Sequence, residues 1–215
     1  MLVTTHSSVA EPLTLDVRPA RLDDIYPILG LHREAFADKF GAAFGTHHTA
    51  RGVEAMAEAW RRQGIAALRG MMVASVDERV IGTISLRTWE MGGENSGAAE
   101  LAFHQVLGTW AAMRSIFTLS LLDHRIDRHE GYITDVAVLT EFRRRGVAQL
   151  LLTRVEQEAR LRGKRFLGLY VSAANAVARH LYTINGFSEH RVRQSWMAGL
   201  LLHQRAWVYM RKELR

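Results

Sequence analysis

Three consecutive arginines and a glycine stand where a predicted strand gives way to a predicted helix, in the RRRGVA segment of residues 143–148. The first backbone N–H groups of a helix lack partners within the helix and carry partial positive charge, so phosphates bind there. Gly146 has no side chain to obstruct a ligand that approaches the backbone, and arginine side chains attract phosphate. The segment predicts an anion-binding turn, for which an ordinary basic turn is the alternative.

A second pattern, N-x-x-A-x-x-x-Y-x-x-x-G-F, begins at Asn175 and ends at Phe187. Asn175 and Tyr182 are seven residues apart, which is about two helical turns, so they lie on one helix face. Ala178 between them is small and permits close approach of a ligand. A face with an amide, a gap and a phenol suits a long, thin, polar ligand. The alternative is that Asn175 is a simple N-cap and Tyr182 a half-buried core residue.

The elements that position these residues follow from the periodicity of the chain. Strands are predicted at residues 13–18, 71–76, 80–86, 132–138, 165–171 and 207–210, the second and third as a β-hairpin. Helices are predicted at residues 23–37, 51–63, 98–126 with a break at Gly108, 146–161 and 175–185. Residues 40–49 and the glycines at 92, 93 and 97 predict loops, and residues 1–12 are expected to be frayed. The strand–helix–strand order after residue 132 predicts a parallel crossover in a mixed sheet.

Together the two patterns resemble the signature of the GNAT superfamily of acyl-CoA-dependent N-acyltransferases. In that signature a strand precedes (Q/R)-x-x-G-x-(G/A) at a helix start, and a later helix carries N-x-x-A-x-x-x-Y. The match is specific over residues 130–190 and extends in element order from about 13 to 212. It implies an α/β (α+β) fold with a mixed, mostly antiparallel central sheet flanked by helices, in one domain over residues 1–215.

The resemblance also implies roles for named residues. Backbone amides of residues 144–148 would hold the CoA pyrophosphate, and the arginine side chains would reach the adenosine phosphate. The backbone of residues 136–138 would pair with pantetheine like an added strand, and one amide there would polarise the thioester carbonyl. The implied set for acetyl-CoA, the cosubstrate, is Val136, Ala137, Val138, Arg143, Arg144, Arg145, Gly146, Val147, Ala148, Asn175 and Ala178.

The implied reaction is direct attack of a neutral amine on the acetyl thioester, which needs no protein nucleophile. Tyr182 would lie near the sulfur, and since a phenol is protonated near pH 7 it is the expected general acid. Asp135 is the candidate base, although bonding a nearby backbone amide is an equal alternative. Thr134 stands where several members carry a glutamate, and strand neighbours face opposite sides. Glu94 and Glu100 are further candidates, as are ordered waters.

Residues 90–130 separate the third and fourth strands, where most members of the family have a short link. The role of this predicted helical insertion is open: it covers the acceptor cleft, forms a homodimer interface, or does both. Its apolar positions are expected to pack in the core or against another subunit; they are Leu101, Val106, Trp110, Met113 and Phe117. The acceptor itself, a primary amine of a small molecule or peptide, is not identified by any motif.

Composition excludes several classes of function. The chain has no cysteine, so it has no disulfide, no thiolate zinc site and no cysteine nucleophile. Its histidines match no zinc helix such as H-E-x-x-H, so no metal site is predicted. The net charge of +6 suits a phosphorylated cofactor, and the scattered arginines argue against nucleic-acid binding.

Two other functions compete with the transferase. One is a domain that binds acyl-CoA as a sensor without turnover, which thiol release would exclude. The other is a nucleic-acid module, which predicts steeply salt-dependent binding. The chain has no secretory pattern at its start, and charged residues interrupt its most apolar region, so a cytoplasmic protein without membrane contact is expected.

Overall fold

Seven strands form one sheet in the computed structural model, which describes residues 15–92, 96–120, 124–194 and 206–214. The strands are β1 (Leu15–Pro19), β2 (Met71–Val76), β3 (Arg79–Thr88), β4 (Glu130–Val138), β5 (Phe166–Ser172), β6 (Ser188–Gln194) and β7 (Ala206–Glu213). They are ordered β1-β2-β3-β4-β5-β7-β6. Only β4 and β5 run parallel among these pairs, so the predicted mixed, mostly antiparallel sheet with one crossover is confirmed.

Helices cover both faces of this sheet. They are α1 (Ile25–Ala35), α2 (Ala37–Phe44), α3 (Thr49–Gln63), α4 (Ser96–Leu107), α5 (Thr109–Ser120), α6 (Val147–Leu161) and α7 (Ala176–Ile184). Helices α1 to α5 contribute to one buried cluster with β2 and β3. Helices α6 and α7 contribute to a second cluster, in which Leu151 and Val155 pack with Ile84 and Ile133 of the sheet. The sheet therefore has an apolar core on each side.

Helix α2 corrects the prediction of a loop at residues 40–49. Phe40, Ala43 and Phe44 are buried, and their spacing places them on one helical face. Gly41 lies inside the helix, and the chain leaves it only at Gly45. The two glycines favour a loop when the sequence is read alone. In the structure the apolar residues of α2 pack against α3 and α5, and this packing stabilises the helix.

The sequence does not predict strand β6. Its residues are nearly all polar, so they lack the alternation of apolar and polar side chains that marks a strand, and all seven are exposed in the structure. Its pairing with β7 creates it at the edge of the sheet. Residues 1–12, whose fraying was expected, lie outside the described residues, as does Gly93.

The insertion is helical, as predicted, and breaks at Gly108, whose φ is +81°. The helix ends at Ser120 rather than near 126, and Gly97 lies within α4 instead of in a loop. Ala102, Phe103 and Ala112 are buried apolar residues of the insertion. The larger side chains do not pack in the core: Trp110 is 85% exposed, and Leu101, Met113 and Phe117 are about half exposed. Packing against another subunit, the other expectation, stays a prediction. The small residues face inward because α4 packs closely against α3 and α5 against α2.

Gly52 on α3 allows the close approach of α2. A Cβ at this position would lie 2.3 Å from Cγ of Phe44, so the buried ring would have to move. Gly52→Ala is expected to lower the free energy of unfolding by about 1–3 kcal/mol, measured by urea denaturation. Gly30→Ala on α1 is the matched control, since its Cβ would meet nothing within 4 Å. It is expected to raise stability by about 0.5–1 kcal/mol, and equal losses in both variants would contradict the packing argument.

Among the described helices, none is both long and apolar enough to span a bilayer.

Candidate active site

A large cavity of about 2540 Å³ lies against β4, β5 and the starts of α6 and α7. Pockets for one small ligand are typically ~300–1,000 Å³, so this cavity has room for two substrates. The residues predicted to bind the cosubstrate line it except for Arg145, and so do Tyr182 and Asp135. The guanidinium of Arg145 instead lies over the ring of Phe142, 5.7 Å from its centroid.

Strands β4 and β5 separate within this cavity. They pair only from Glu130 to Ile133 on β4 and from Phe166 to Leu169 on β5. Beyond Ile133, β4 pairs with β3 alone, so its other edge presents backbone donors and acceptors toward β5. A polar chain such as pantetheine can bind there as an added strand. This edge includes the predicted segment 136–138.

The backbone of β4 bulges just after this separation. Asp135 has a φ of +55°, and three steps on β4, from Thr134 to Ala137, match two on β3. An extra residue of this kind bends a strand and re-aims its side chains. The hydroxyl of Thr134 donates to Oδ2 of Asp135 at 2.9 Å. The strict alternation expected at 134 and 135 therefore does not hold, and both residues line the cavity.

A buried histidine supports this bulge from the far side of β3. The Thr83 hydroxyl donates to the carbonyl oxygen of Asp135 at 2.9 Å, and Nε2 of His32 lies 3.0 Å from the same hydroxyl. Burial lowers the pKa of His32, which outweighs the attraction of Asp135. The neutral ring therefore donates from Nε2 to the hydroxyl, whose own proton is already engaged.

The carboxyl of Asp135 is ionised in this setting. Burial alone would raise its pKa, but the cations Lys39 and Arg87 and the hydrogen bond from Thr134 hold the pKa of Asp135 below its ordinary value. A carboxylate with a lowered pKa is a weak proton acceptor, but it attracts a cation.

The start of α6 has free backbone amides and nearby cations that can bind an anion. Gly146 is the N-cap residue with a φ of +80°, and no side chain caps the helix there. A Cβ on Gly146 would meet nothing within 4 Å, so the approach to the backbone is open. Arg143 and Arg144 are exposed beside it, and Arg143 also donates from Nε to the carbonyl of Val138 at 3.0 Å. Uncapped amides and two cations thus surround one end of the cavity.

Helix α7 presents the second motif to the same cavity. Asn175 caps this helix, accepting from the amide of Ala178 at 3.0 Å, so the structural role weighed from sequence is present. The Asn175 amide nitrogen remains as a donor. Tyr182 is 7% exposed, and burial raises its pKa to about 12. Within the described residues its hydroxyl makes no hydrogen bond to the protein, which leaves it available to a ligand.

Sequence reasoning missed a polar, aromatic wall on the other side of the cavity. Its members are His124, Tyr132, Tyr170, Arg193 and Trp207. Beneath them lies Glu130, which is 1% exposed. The available signal was polar or aromatic residues at every second position of β4, β5 and β7, which also fits ordinary core packing.

Glu100, one of the other candidate bases, is not among the residues of this wall. Glu100 lies on α4 with its side chain 60% exposed and is not among the residues that line the cavity. Glu94 lies outside the described residues. No group of acidic and histidine side chains in the described ranges has an arrangement suited to a metal ion.

Known proteins share this architecture. A family model for the acetyltransferase (GNAT) family matches residues 35–187. The ribosomal protein bS18-alanine N-acetyltransferase of Salmonella typhimurium is 37% identical over 67 residues, which cover 31% of this chain and 45% of that protein. The comparison therefore spans less than half of that relative's length.

Two solved structures share the fold over nearly the whole chain. One is an acetyltransferase with 19% identity and a TM-score of 0.68, covering 93% of this chain and all of the other. The second is PaiA N-acetyltransferase from Thermoplasma acidophilum in complex with coenzyme A. It has 14% identity and a TM-score of 0.60, covering 94% of this chain and 99% of the other. Because the family model covers well over half of the sequence and the fold agrees, this chain belongs to the GNAT family of acetyltransferases.

Proposed function

We propose that this protein transfers the acetyl group of acetyl-CoA to a primary amine of a peptide or small molecule, with Tyr182 as general acid. The observation that carries the proposal is the separation of β4 and β5 after Ile133. It opens an unpaired strand edge into the same cavity as the uncapped start of α6 and the Tyr182 hydroxyl. The open strand edge suits the pantetheine chain of the cosubstrate, the start of α6 suits its phosphates, and the Tyr182 hydroxyl suits its sulfur.

Different groups of residues bind different parts of acetyl-CoA. The amides at the start of α6, with Arg143 and Arg144, bind the pyrophosphate. The open edge at residues 136–138 binds pantetheine, and one of its amides stabilises negative charge on the thioester oxygen. The amine first loses a proton, and its nitrogen then forms a bond to the carbonyl carbon. The carbon–sulfur bond breaks, the nitrogen gives up a second proton, and the sulfur receives one. Asp135 attracts the incoming amine as its cation rather than deprotonating it, because its pKa is lowered.

The acceptor is a primary amine, for which two classes are proposed. The Salmonella relative is named for an alanine of ribosomal protein bS18, which makes the α-amine of a peptide one class. Small amines are the other class, since the cavity is large and its polar, aromatic wall offers ring faces to an amine cation.

The experiment is calorimetry with coenzyme A, followed by a free-thiol assay with acetyl-CoA. The amine probes are a peptide with N-terminal alanine, the same peptide with a blocked N-terminus and one lysine, and a small diamine. We expect heat with coenzyme A and thiol release that depends on at least one probe. No heat would overturn the proposal. Heat without thiol release for any probe would favour the sensor function instead.

A further inference from the structure

We infer that His124, oriented by the buried carboxylate of Glu130, accepts the proton of the attacking amine. This inference rests on the proposed function, since it names the base for the same reaction. Asp135, the base expected from sequence, has a lowered pKa and the hydrogen bond from Thr134. The reaction therefore needs another acceptor, and the aromatic wall of the cavity contains one.

Glu130 is a charged group in a place where charge is costly. It is 1% exposed at the start of β4. Burial alone would raise its pKa, but hydrogen bonds from His124, Tyr209 and the Asp127 amide hold the pKa of Glu130 below its ordinary value. An ionised buried carboxylate is costly unless its partners are well placed. Here a histidine, a phenol and a backbone amide satisfy it, so the carboxylate is built into the fold.

The contacts of this carboxylate fix one ring nitrogen of His124. Nε2 lies 3.1 and 3.0 Å from the two oxygens of Glu130, and Tyr209 donates to Oε1 at 2.5 Å. An ionised carboxylate only accepts hydrogen bonds, so Nε2 carries a proton. The neutral ring is then a proton acceptor at Nδ1, and the carboxylate stabilises the imidazolium that forms. Glu130 is thus a positioning residue for His124.

The position of His124 brings it to the acceptor half of the cavity. It lines the same cavity as Tyr182, and its ring lies 4.3 Å from the ring of Tyr132. Tyr132 is the residue before Ile133, the last β4 residue that pairs with β5, so His124 lies next to the point where the two strands separate. An imidazole at this point suits proton exchange near neutral pH.

Other titratable and charged groups surround the ring. Glu130 and Tyr132 belong to β4, Tyr170 to β5 and Tyr209 to β7. Further out, the guanidinium of Arg191 lies over Tyr170 and Tyr209, and His190 contacts Tyr209. Burial raises the pKa of both Tyr132 and Tyr209, so these phenols stay neutral and Glu130 is the anion that controls His124.

The proton balance of the step is closed. The amine cation gives one proton to Nδ1 of His124 before it attacks, and its nitrogen then forms the bond to the carbonyl carbon. As the carbon–sulfur bond breaks, the sulfur takes its electron pair, and the second proton of the nitrogen reaches the sulfur through solvent while Tyr182 stabilises the departing sulfur by a hydrogen bond. The imidazolium then releases its proton to solvent, and no other reactant is required.

The first test is the pH dependence of kcat/KM for His124→Gln. With acetyl-CoA and the N-terminal alanine peptide, we expect a loss of about 10²-fold at pH 7. The loss should shrink as the pH approaches the pKa of the amine, about 8 for an α-amine, because the substrate then deprotonates itself. His129→Gln is the matched control, an exposed histidine of the same connection, and should behave like the wild type. A constant loss at every pH, or none, would overturn the inference.

The second test needs no acceptor. The ring nitrogens of His124, assigned by their absence in His124→Gln, are observed by 15N NMR at pH 8. We expect a proton on Nε2 and none on Nδ1, and a shift of the Nε2 proton signal in Glu130→Gln and in Tyr209→Phe, because both variants change the carboxylate that accepts this proton. Protons on both nitrogens, or an Nε2 signal unchanged in both variants, would contradict the inference.

The two proposals fail separately. A wild-type protein that releases no thiol with any amine contradicts the proposed function, whereas active enzyme with an unchanged profile in His124→Gln contradicts only the inference. Calorimetry with coenzyme A and thermal melts check that each variant is folded. If Glu130→Gln does not fold, the shift in Tyr209→Phe decides the outcome.

Discussion

Replacement of Tyr182 by phenylalanine is expected to lower kcat by about 10²- to 10³-fold while coenzyme A binds with unchanged affinity. The phenol is protonated at neutral pH because burial raises its pKa to about 12. That value lies above the ~8.5 of a thiol, so full transfer of the proton to sulfur is unfavourable by itself. Most of the effect therefore comes from the hydrogen bond that Tyr182 donates as negative charge develops on the sulfur.

Single-turnover kinetics with saturating acetyl-CoA measures this loss, and calorimetry measures the affinity. Tyr26→Phe is the control, since Tyr26 is an exposed tyrosine on α1 whose hydroxyl bonds to Glu54. Because a donor is lost only as pH rises through its pKa, the wild type should show no fall in kcat from Tyr182 below about pH 10. An equal kcat in Tyr182→Phe would remove the phenol from the mechanism.

The proposed cofactor half of this site could be predicted from the sequence for a physical reason. The N-terminus of a helix and the strand before it bind phosphates through backbone groups, so a contiguous stretch around Gly146 encodes the feature. The second motif is also local, because Asn175 and Tyr182 share one face of α7. Both stretches line the same cavity in the structure.

The proposed acceptor half could not be predicted from the sequence, because its residues come together only after the sheet has formed. His124 comes from the connection before β4, Glu130 from β4, Tyr170 from β5 and Tyr209 from β7. Each is a common residue in an ordinary strand or loop pattern, and nothing in its neighbours marks a proton acceptor. These residues are far apart in the sequence, and they meet because β4, β5 and β7 are neighbours in the sheet. The same reason explains β6, whose exposed residues become a strand only by pairing with β7.

The second large effect is expected at the start of α6. Gly146→Asp places a carboxylate where the structure has uncapped amides and a φ of +80°. Aspartate and asparagine tolerate this backbone region better than other side chains, so the variant should fold. The new charge repels the pyrophosphate, and at an effective dielectric of ~20 two charges about 4 Å apart interact by up to about 4 kcal/mol. Screening by solvent reduces this, so we expect coenzyme A to bind about 30- to 1000-fold more weakly.

Gly146→Asn separates charge from backbone strain. It matches aspartate in shape and in its tolerance of positive φ, but it carries no charge. Its affinity for coenzyme A should fall by less than about tenfold, and the gap between the two variants should narrow as salt rises, since ions screen the repulsion. Calorimetry at two salt concentrations measures both effects. Equal losses in the two variants would mean that strain in the turn, rather than an anion held by the amides of α6, explains the requirement for glycine. The phosphate end of the cosubstrate would then have to lie elsewhere in the cavity.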